Sequence, residues 1–227
     1  MDLIYRKKLS GRIPLPPLVF LHDSNQVPGR GAGIRQSIGV PAHMISIVFG
    51  TYQQRDALEK VLHAYQNLIA PAGGLEVVIV DSSSTDGTDA MVKNVTLPFP
   101  IRYIRQENRG KTGARNRGIR LASGELILLT DGDMVPHPEW VLEHAKFSKR
   151  FPGSVGIGKT IPLRSEKEDP LARENWLPSL FDNLRDDHRV PFWRFHTGNV
   201  SVPKELLLRV GLFDEDFQGY GWEDIEI

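Results

Sequence analysis

Apolar residues along this chain fall into two patterns: short continuous runs, and stretches in which they recur every three or four positions. Continuous runs predict strands that are buried on both faces, as in parallel sheets covered by helices. We predict such strands at 44–49, 76–80, 101–104 and 126–129. Segments with the helical period lie between them, so the pattern predicts an α/β fold with a mostly parallel central sheet flanked by helices.

The helices are predicted from apolar stripes and from the residues that end them. A stripe from Leu58 to Ile69 predicts the first helix, and the segment 71–74, Pro-Ala-Gly-Gly, ends it. We predict further helices at 89–94, 112–122, 138–151 and 203–210, and strands at 155–158 and 192–202. Residues 164–195 are polar and weakly periodic, which predicts a long loop with one short helix near 171–184.

The amino-acid composition indicates the general class of protein but not its function. The 227 residues are 40% hydrophobic and 25% charged, which is typical of a soluble globular protein. The formal net charge is zero, so charge gives no general argument for nucleic acid or an anionic membrane as a partner. The sequence has no cysteine and no apolar run near the roughly 20 residues of a membrane span. We therefore expect a cytoplasmic protein, with a peripheral position at the inner membrane face also open.

One predicted strand ends in a motif with its own chemistry. The run 126–129 is followed by Thr130 and then by Asp131-Gly132-Asp133. Side chains two apart in an extended chain point the same way, so both carboxylates can face one point at the carboxyl end of the sheet, where ligands collect. Two such carboxylates suit Mn²⁺ or Mg²⁺ bound together with substrate phosphates. The alternative is a surface Asp-Gly turn.

A second motif matches the phosphate-loop pattern, but its context does not. Residues 153–160, Gly-Ser-Val-Gly-Ile-Gly-Lys-Thr, fit the pattern letter for letter. A phosphate loop lies between a buried strand and a helix, whereas this segment follows a predicted amphipathic helix and precedes a polar stretch. We therefore interpret Val155–Gly158 as a glycine-rich strand.

A series of short motifs runs through the chain from residue 44 to its end. They are Thr51-Tyr52, Val80-Asp81 with Ser84-Thr85-Asp86-Gly87-Thr88, Ala114-Arg115-Asn116, Gly124-Glu125 with Asp131-Gly132-Asp133, Thr197-Gly198-Asn199, Phe213-Asp214-Glu215 and Gly219-Tyr220-Gly221-Trp222-Glu223-Asp224. In this order they resemble the family 2 glycosyltransferases of the GT-A fold. The last motif resembles the acceptor motif of galactosyl- and N-acetylgalactosaminyltransferase domains.

The resemblance implies a domain organisation. Residues 44–227 would form a Rossmann-like GT-A domain, with a nucleotide-sugar-binding half at 44–133 and an acceptor-binding half at 134–227. Residues 1–43, rich in proline and glycine, would be a loosely structured extension. Because the chain stops shortly after Asp224, where the family continues, we expect a domain that is truncated at its C-terminus.

The resemblance also implies roles for residues on the donor side. The nucleotide-sugar-binding residues would be Thr51, Tyr52, Asp81, Arg115 and Asp131. Asp81 would accept a hydrogen bond from the base N–H, and Asp133 together with Asp131 would ligate Mn²⁺ or Mg²⁺ on the diphosphate. The alternatives are a helix cap for Asp81 and a solvated charge for Arg115 and its neighbours Arg109 and Lys111. Asp86 is assigned to capping.

On the acceptor side, the resemblance implies a general base. Asp224 would remove the proton of the acceptor hydroxyl, with Glu223 beside it and with Trp222 and Asn199 contacting the acceptor. Such a carboxylate contributes about 10² to 10⁴ in rate. The expected reaction moves a sugar from a nucleotide-sugar, predicted to be a UDP-sugar, to a hydroxyl of a glycan by a single inverting displacement. The alternative function is a non-catalytic module that binds nucleotides or glycans, and the alternative for Glu223-Asp224 is an acidic helix start.

Overall fold

The structure is a computed structural model, and it describes residues 18–20, 44–160, 189–190 and 195–216. Three sets of predictions lie outside these ranges. They are the bulk of the extension 1–43, the short helix near 171–184, and the motif 219–224 with Trp222, Glu223 and Asp224. Among the described residues, no helix is long and apolar enough to cross a membrane.

Strands and helices alternate between Ile45 and Ile157, as the apolar pattern predicts. The elements are β1 (Leu18–Phe20), β2 (Ile45–Thr51), α1 (Arg55–Tyr65), β3 (Leu75–Asp81), α2 (Thr88–Asn94), β4 (Ile101–Arg105), α3 (Gly110–Leu121), β5 (Leu126–Thr130), α4 (Trp140–Arg150), β6 (Val155–Ile157), β7 (Arg189–Val190), β8 (Asn199–Pro203) and α5 (Lys204–Val210). Of the strand predicted at 192–202, residues 192–194 lie outside the described ranges, and the observed strand begins at Asn199 because Thr197 and Gly198 form a turn. The phosphate-loop look-alike contains strand β6, as its context predicts.

The strands form one sheet in the order β4-β3-β2-β5-β8-β6-β1-β7. Strands β4, β3, β2 and β5 are parallel to one another, whereas β8 runs antiparallel to both β5 and β6. This arrangement confirms the predicted α/β fold with a mostly parallel central sheet. Because the carboxyl ends of the parallel strands share one edge, the residues that follow β2, β3 and β5 are brought together there.

Helices cover both faces of the sheet and bury an apolar core on each. On one face α1, α2 and α4 pack against residues such as Phe49 and Ile79. On the other face α3 and α5 pack against residues such as Val48 and Leu129. Helix α3 lies very close to β2, since a Cβ on Gly118 would lie 2.5 Å from Val48 Cγ1. A glycine is therefore needed at position 118 for α3 to reach this depth.

A polar cluster lies at the amino ends of β2 and β3, at the opposite end of the strands from the predicted site. The buried Glu76 carboxylate accepts hydrogen bonds from the Ser46 hydroxyl at 2.6 Å and from the Ser123 N–H at 2.5 Å. The chain is so crowded there that a Cβ on Gly124 would lie 2.6 Å from the Met44 carbonyl oxygen. Gly124, part of the recognised motif, therefore serves the packing of β2 against β5.

Candidate active site

Asp131 lies at the carboxyl edge of the sheet and is held by two cations from α3. Lys111 Nζ lies 3.0 Å and Arg115 Nη2 lies 3.2 Å from Asp131 Oδ1. The Arg115 side chain is only 1% exposed, so the alternative of a solvated charge is wrong for this residue. A buried guanidinium is costly unless it is paired, and its pairing with Asp131 fixes the carboxylate beside the edge of the sheet. The Lys111 side chain, by contrast, is 43% exposed.

Asp133 differs from Asp131 in its surroundings. Its side chain is exposed and, within the described part of the chain, makes no hydrogen bond or ion pair. No group of three or more His, Asp or Glu side chains among the described residues is arranged to hold a metal ion. Residues 131–134 form a turn, closed by a hydrogen bond from the Met134 N–H to the Asp131 carbonyl oxygen at 3.2 Å, so the extended chain that was expected to aim both carboxylates at one point is not found. Mg²⁺-type ions are often held by one or two carboxylates together with substrate phosphates, so the exposed Asp133 carboxylate can serve in chemical terms. The residues present therefore fit a metal that is bound jointly with a diphosphate.

A second polar cluster lies where β2 and β3 end, around Asp81. Thr51 and Asp81 are paired in register, and both are buried. Asp81 Oδ1 accepts a hydrogen bond from the Ser84 N–H at 2.9 Å, and Oδ2 accepts one from the Tyr103 hydroxyl. Partial burial and the bond to the Asp81 carboxylate raise the pKa of Tyr103, so the hydroxyl keeps its proton. The Thr51 hydroxyl is buried and has no hydrogen-bond partner in the part of the chain that the structure describes.

The loop after Asp81 is braced against the start of α1. Asp86 accepts hydrogen bonds from the backbone N–H of Arg55 at 2.9 Å and of Thr88 at 3.1 Å, which gives it the capping role expected from the sequence. Gln53, in the left-handed region with a φ of 53°, bonds through its side chain to Thr85. Tyr52, between Thr51 and this bracing, is 49% exposed and leaves its ring open to a ligand.

Asn199 lies beside the site but is already engaged in a structural network. Its Oδ1 accepts hydrogen bonds from Trp140 Nε1 at 2.8 Å and from His144 Nε2 at 2.9 Å. Its Nδ2 donates to the Lys159 carbonyl oxygen at 3.0 Å. These bonds connect β8 with α4 and with the segment after β6, so the side chain of Asn199 has a structural role beside the site. Contact between Asn199 and an acceptor stays a prediction.

Asn116 holds the segment that follows α5 against α3. Its Oδ1 accepts from the Phe213 N–H at 3.1 Å, and its Nδ2 donates to the Phe213 carbonyl oxygen at 2.8 Å and to Glu215 Oε1 at 2.9 Å. The neighbouring Arg115 guanidinium carbon lies 5.8 Å from the centre of the Phe213 ring. The motif Ala114-Arg115-Asn116 therefore connects Asp131 with the segment at Phe213, which lies 97 residues after Asn116 along the chain.

The sequence reasoning gave no role to Asn116 and did not single out Tyr103. Asn116 could have been suspected as a polar residue on the otherwise buried face of a predicted helix. Tyr103 carries no local signal, because its relation to Asp81 depends on β4 lying beside β3.

A Rossmann-like sheet with acidic and basic groups gathered at its carboxyl edge defines a protein of the nucleotide-binding α/β class. Within that class the chain belongs to glycosyl transferase family 2, whose family profile matches residues 46–216. The resemblance noted in the sequence is thereby confirmed at the level of the family.

Comparison with individual proteins agrees with this assignment. The chain is 30% identical over 220 residues to validoxylamine A glucosyltransferase from Streptomyces hygroscopicus subsp. jinggangensis, covering 83% of this chain and 52% of that protein. It resembles the structure of mannosyltransferase PcManGT from Pyrobaculum calidifontis in complex with GDP-Man and Mn²⁺, with a TM-score of 0.60 and 28% identity over 81% of this chain and 50% of that one. The structure of S. aureus TarS 1-349 with UDP shares the fold, with a TM-score of 0.61 and 20% identity over 80% and 53% of the two chains. The chain thus spans about half the length of these relatives.

Proposed function

We propose that this chain binds a nucleotide-sugar at the carboxyl edge of its sheet and forms the donor-binding part of a glycosyltransferase. The observation that supports this best is the grouping of Asp131, Lys111 and the buried Arg115 at that edge in a family 2 chain. The Asp131 carboxylate is paired with two cations, which leaves a net positive charge at this edge. The exposed Lys111 side chain can also bind a diphosphate. The exposed ring of Tyr52 offers a surface on which a base can stack.

The predicted donor is a UDP-sugar, and the predicted cofactor is Mn²⁺ or Mg²⁺. Asp133 is the better direct ligand, because its exposed carboxylate has no partner among the described residues, whereas Asp131 is paired with two cations. The metal, when bound, would stabilise the negative charge that develops on the leaving diphosphate. PcManGT was solved with GDP-Man and Mn²⁺, so a GDP-sugar is the alternative donor that must be compared with a UDP-sugar.

The proposed reaction is a single inverting displacement at the anomeric carbon. The acceptor hydroxyl attacks this carbon, its proton passes to Asp224, and the bond from the sugar to the diphosphate breaks. Glu223 and Trp222 would contact a sugar, and Lys111 and Arg115 would keep positive charge near the leaving group. These roles on residues 222–224 rest on the motif in the sequence, since the residues lie outside the described part.

The test of the base is Asp224→Asn, with Asp216→Asn as a matched acidic control. We expect Asp224→Asn to bind UDP as the unchanged chain does and to transfer sugar at least about 100-fold more slowly. Donors are screened first for slow hydrolysis, which needs no knowledge of the acceptor. Transfer within a few-fold of the unchanged chain would remove Asp224 from the role of base and leave Glu223 as the next candidate.

The second candidate function is a module that binds nucleotides or glycans without catalysis. Metal-dependent nucleotide binding with no turnover of any donor would favour it. The intact pair Asp133 and Asp224 supports the enzyme instead, because a binding module has no use for a general base.

A further inference from the structure

The outer sides of helices α3 and α5 form a surface that is separate from the candidate active site. Both helices pack their apolar residues against the same face of the sheet. They also touch each other, because Lys204 Nζ at the start of α5 donates hydrogen bonds to the carbonyl oxygens of Ala122 at 2.5 Å and Arg120 at 3.4 Å, at the end of α3. We call this surface the basic face, and its residues are Arg117, Arg120, Leu121, Lys204, Leu208 and Arg209.

The positive charge of the basic face is largely uncompensated. Its cations are Arg117, Arg120, Lys204 and Arg209. Among the described residues only Arg120 has a carboxylate partner, Glu215 at 3.6 Å. Arg117 donates to the side-chain oxygen of Gln106 at 3.3 Å, and Lys204 donates to backbone carbonyls, so neither charge is neutralised. The one acidic residue within the two helices is Glu205. The basic face therefore carries a net positive charge in a chain whose formal net charge is zero.

Two large apolar side chains are exposed on the same face. Leu121 is 38% exposed and Leu208 is 49% exposed. Each has a cation as its neighbour along the helix, since Arg120 precedes Leu121 and Arg209 follows Leu208. The carbonyl oxygen of Leu121 also accepts a hydrogen bond from Arg102 of β4, which is a further exposed cation. Exposed leucine beside Lys and Arg is typical of protein surfaces that lie at a membrane interface.

The combination of charge and leucine favours a lipid surface over a dissolved polyanion. Each Lys or Arg near an anionic membrane strengthens binding by about five-fold, and a polyanionic chain would also be attracted by the charge. The leucines distinguish the two partners. The boundary between headgroups and acyl chains removes such side chains from water, whereas a polyanion offers them no apolar surface. Lys and Arg can keep their charged ends among the headgroups while their stems lie along the apolar layer.

We propose that the basic face docks on a membrane surface that carries anionic lipid headgroups, with Leu121 and Leu208 at the boundary between headgroups and acyl chains. The basic face shares no residue with the candidate active site, where Asp131 is held by Lys111 and Arg115. The inference therefore does not rest on the proposed function, since a chain that binds no nucleotide could still bind a membrane.

The test is co-sedimentation of the full 227-residue chain with vesicles. One set is phosphatidylcholine alone, and in the other about one third of the lipid is phosphatidylglycerol. We expect at least about 10-fold tighter binding to the anionic vesicles at about 0.1 M salt, and loss of this preference at about 1 M salt, where charges are screened within about 3 Å.

The double variant Arg117→Gln/Arg120→Gln should weaken binding to the anionic vesicles at least about 10-fold. Its matched control is Lys60→Gln/Lys93→Gln, which removes two exposed cations from α1 and α2 on the other face of the sheet. The control should bind like the unchanged chain. Melting curves check that each variant is folded.

A second double variant, Leu121→Ser/Leu208→Ser, keeps every charge and tests the contact with lipid. It should weaken vesicle binding at least about 10-fold, because two exposed apolar side chains no longer leave water on binding. Its affinity for heparin, a polyanion without acyl chains, should equal that of the unchanged chain.

Equal binding of the unchanged chain to both kinds of vesicle would overturn the inference. A parallel loss of affinity in the arginine variant and in its lysine control would also overturn it, because the charge of the basic face would then have no special role. If the serine variant keeps the full affinity for anionic vesicles, the basic face attracts polyanions in general and the proposed docking on lipid is wrong.

Discussion

Lowering the pH should destabilise this fold through one buried histidine, His144 of α4. Trp140 Nε1 can only donate, so the Asn199 atom that it contacts at 2.8 Å is the oxygen. His144 Nε2, at 2.9 Å from the same oxygen, must therefore also carry a proton and donate. Nδ1 then accepts from the Ser201 hydroxyl at 2.8 Å. A second ring proton would break this pattern and place a charge in a completely buried position.

The magnitude follows from the pKa of the ring. Burial lowers the pKa of His144 from 6.5 to about 4, although its hydrogen bond to Asn199 acts in the opposite direction. The unfolded chain therefore binds a proton more readily than the folded one between these two values. The contribution to stability is fully present above pH 6.5 and is lost as the pH falls towards about 4. At about 1.36 kcal/mol per pH unit, the loss is about 3.4 kcal/mol in full and about 2 kcal/mol at pH 5.

The assay is urea unfolding at several values between pH 7 and pH 5, on the unchanged chain and on His144→Gln. The glutamine variant is expected to be less stable at pH 7, but its stability should fall by about 2 kcal/mol less across this range. His63→Gln removes an exposed histidine from α1 and should keep the full pH dependence. If His144→Gln and the unchanged chain lose stability in parallel, the histidine is not the group that titrates and the reasoning is wrong.

Two other predictions concern stability. Tyr65→Phe should raise the free energy of unfolding by about 1 kcal/mol, because the Tyr65 hydroxyl is buried and has no partner among the described residues; a lower melting temperature would mean that the hydroxyl is bonded after all. Asn116→Ala should lower the free energy of unfolding by about 2 to 4 kcal/mol, because it leaves the buried backbone groups of Phe213 without their side-chain partner. Urea unfolding measures this loss, and a change below about 0.5 kcal/mol would show that water replaces the amide.

Much of the fold could be predicted because its strands are strongly apolar. The runs at 76–80 and 126–129 are buried on both faces of a parallel sheet, a setting that tolerates few polar residues. The turn at Thr197-Gly198 escaped prediction, since Phe195 and Thr197 are buried although they lie outside the strand. Burial alone therefore does not fix where a strand begins.

The site was predictable only where its residues follow one another along the chain. Asp131 and Asp133 are separated by one glycine and follow a recognisable strand. The partners of these residues depend on packing instead: Arg115 reaches Asp131 because α3 lies on β2 and β5 is the next strand. In the same way, no sequence pattern shows that α4 and the segment after β6 bond to the amide of Asn199, whose contact with an acceptor stays a prediction.

The carboxyl edge of the sheet, we propose, binds a nucleoside diphosphate together with a divalent cation. The most direct measurement is titration calorimetry of UDP and GDP into the full chain, with and without Mn²⁺, repeated on Asp133→Asn. We expect binding that strengthens at least about 10-fold with Mn²⁺ in the unchanged chain and much less in the variant, which keeps the volume of the side chain but loses its charge. Nucleotide binding that is equally tight without the metal, or metal dependence that survives in Asp133→Asn, would contradict it.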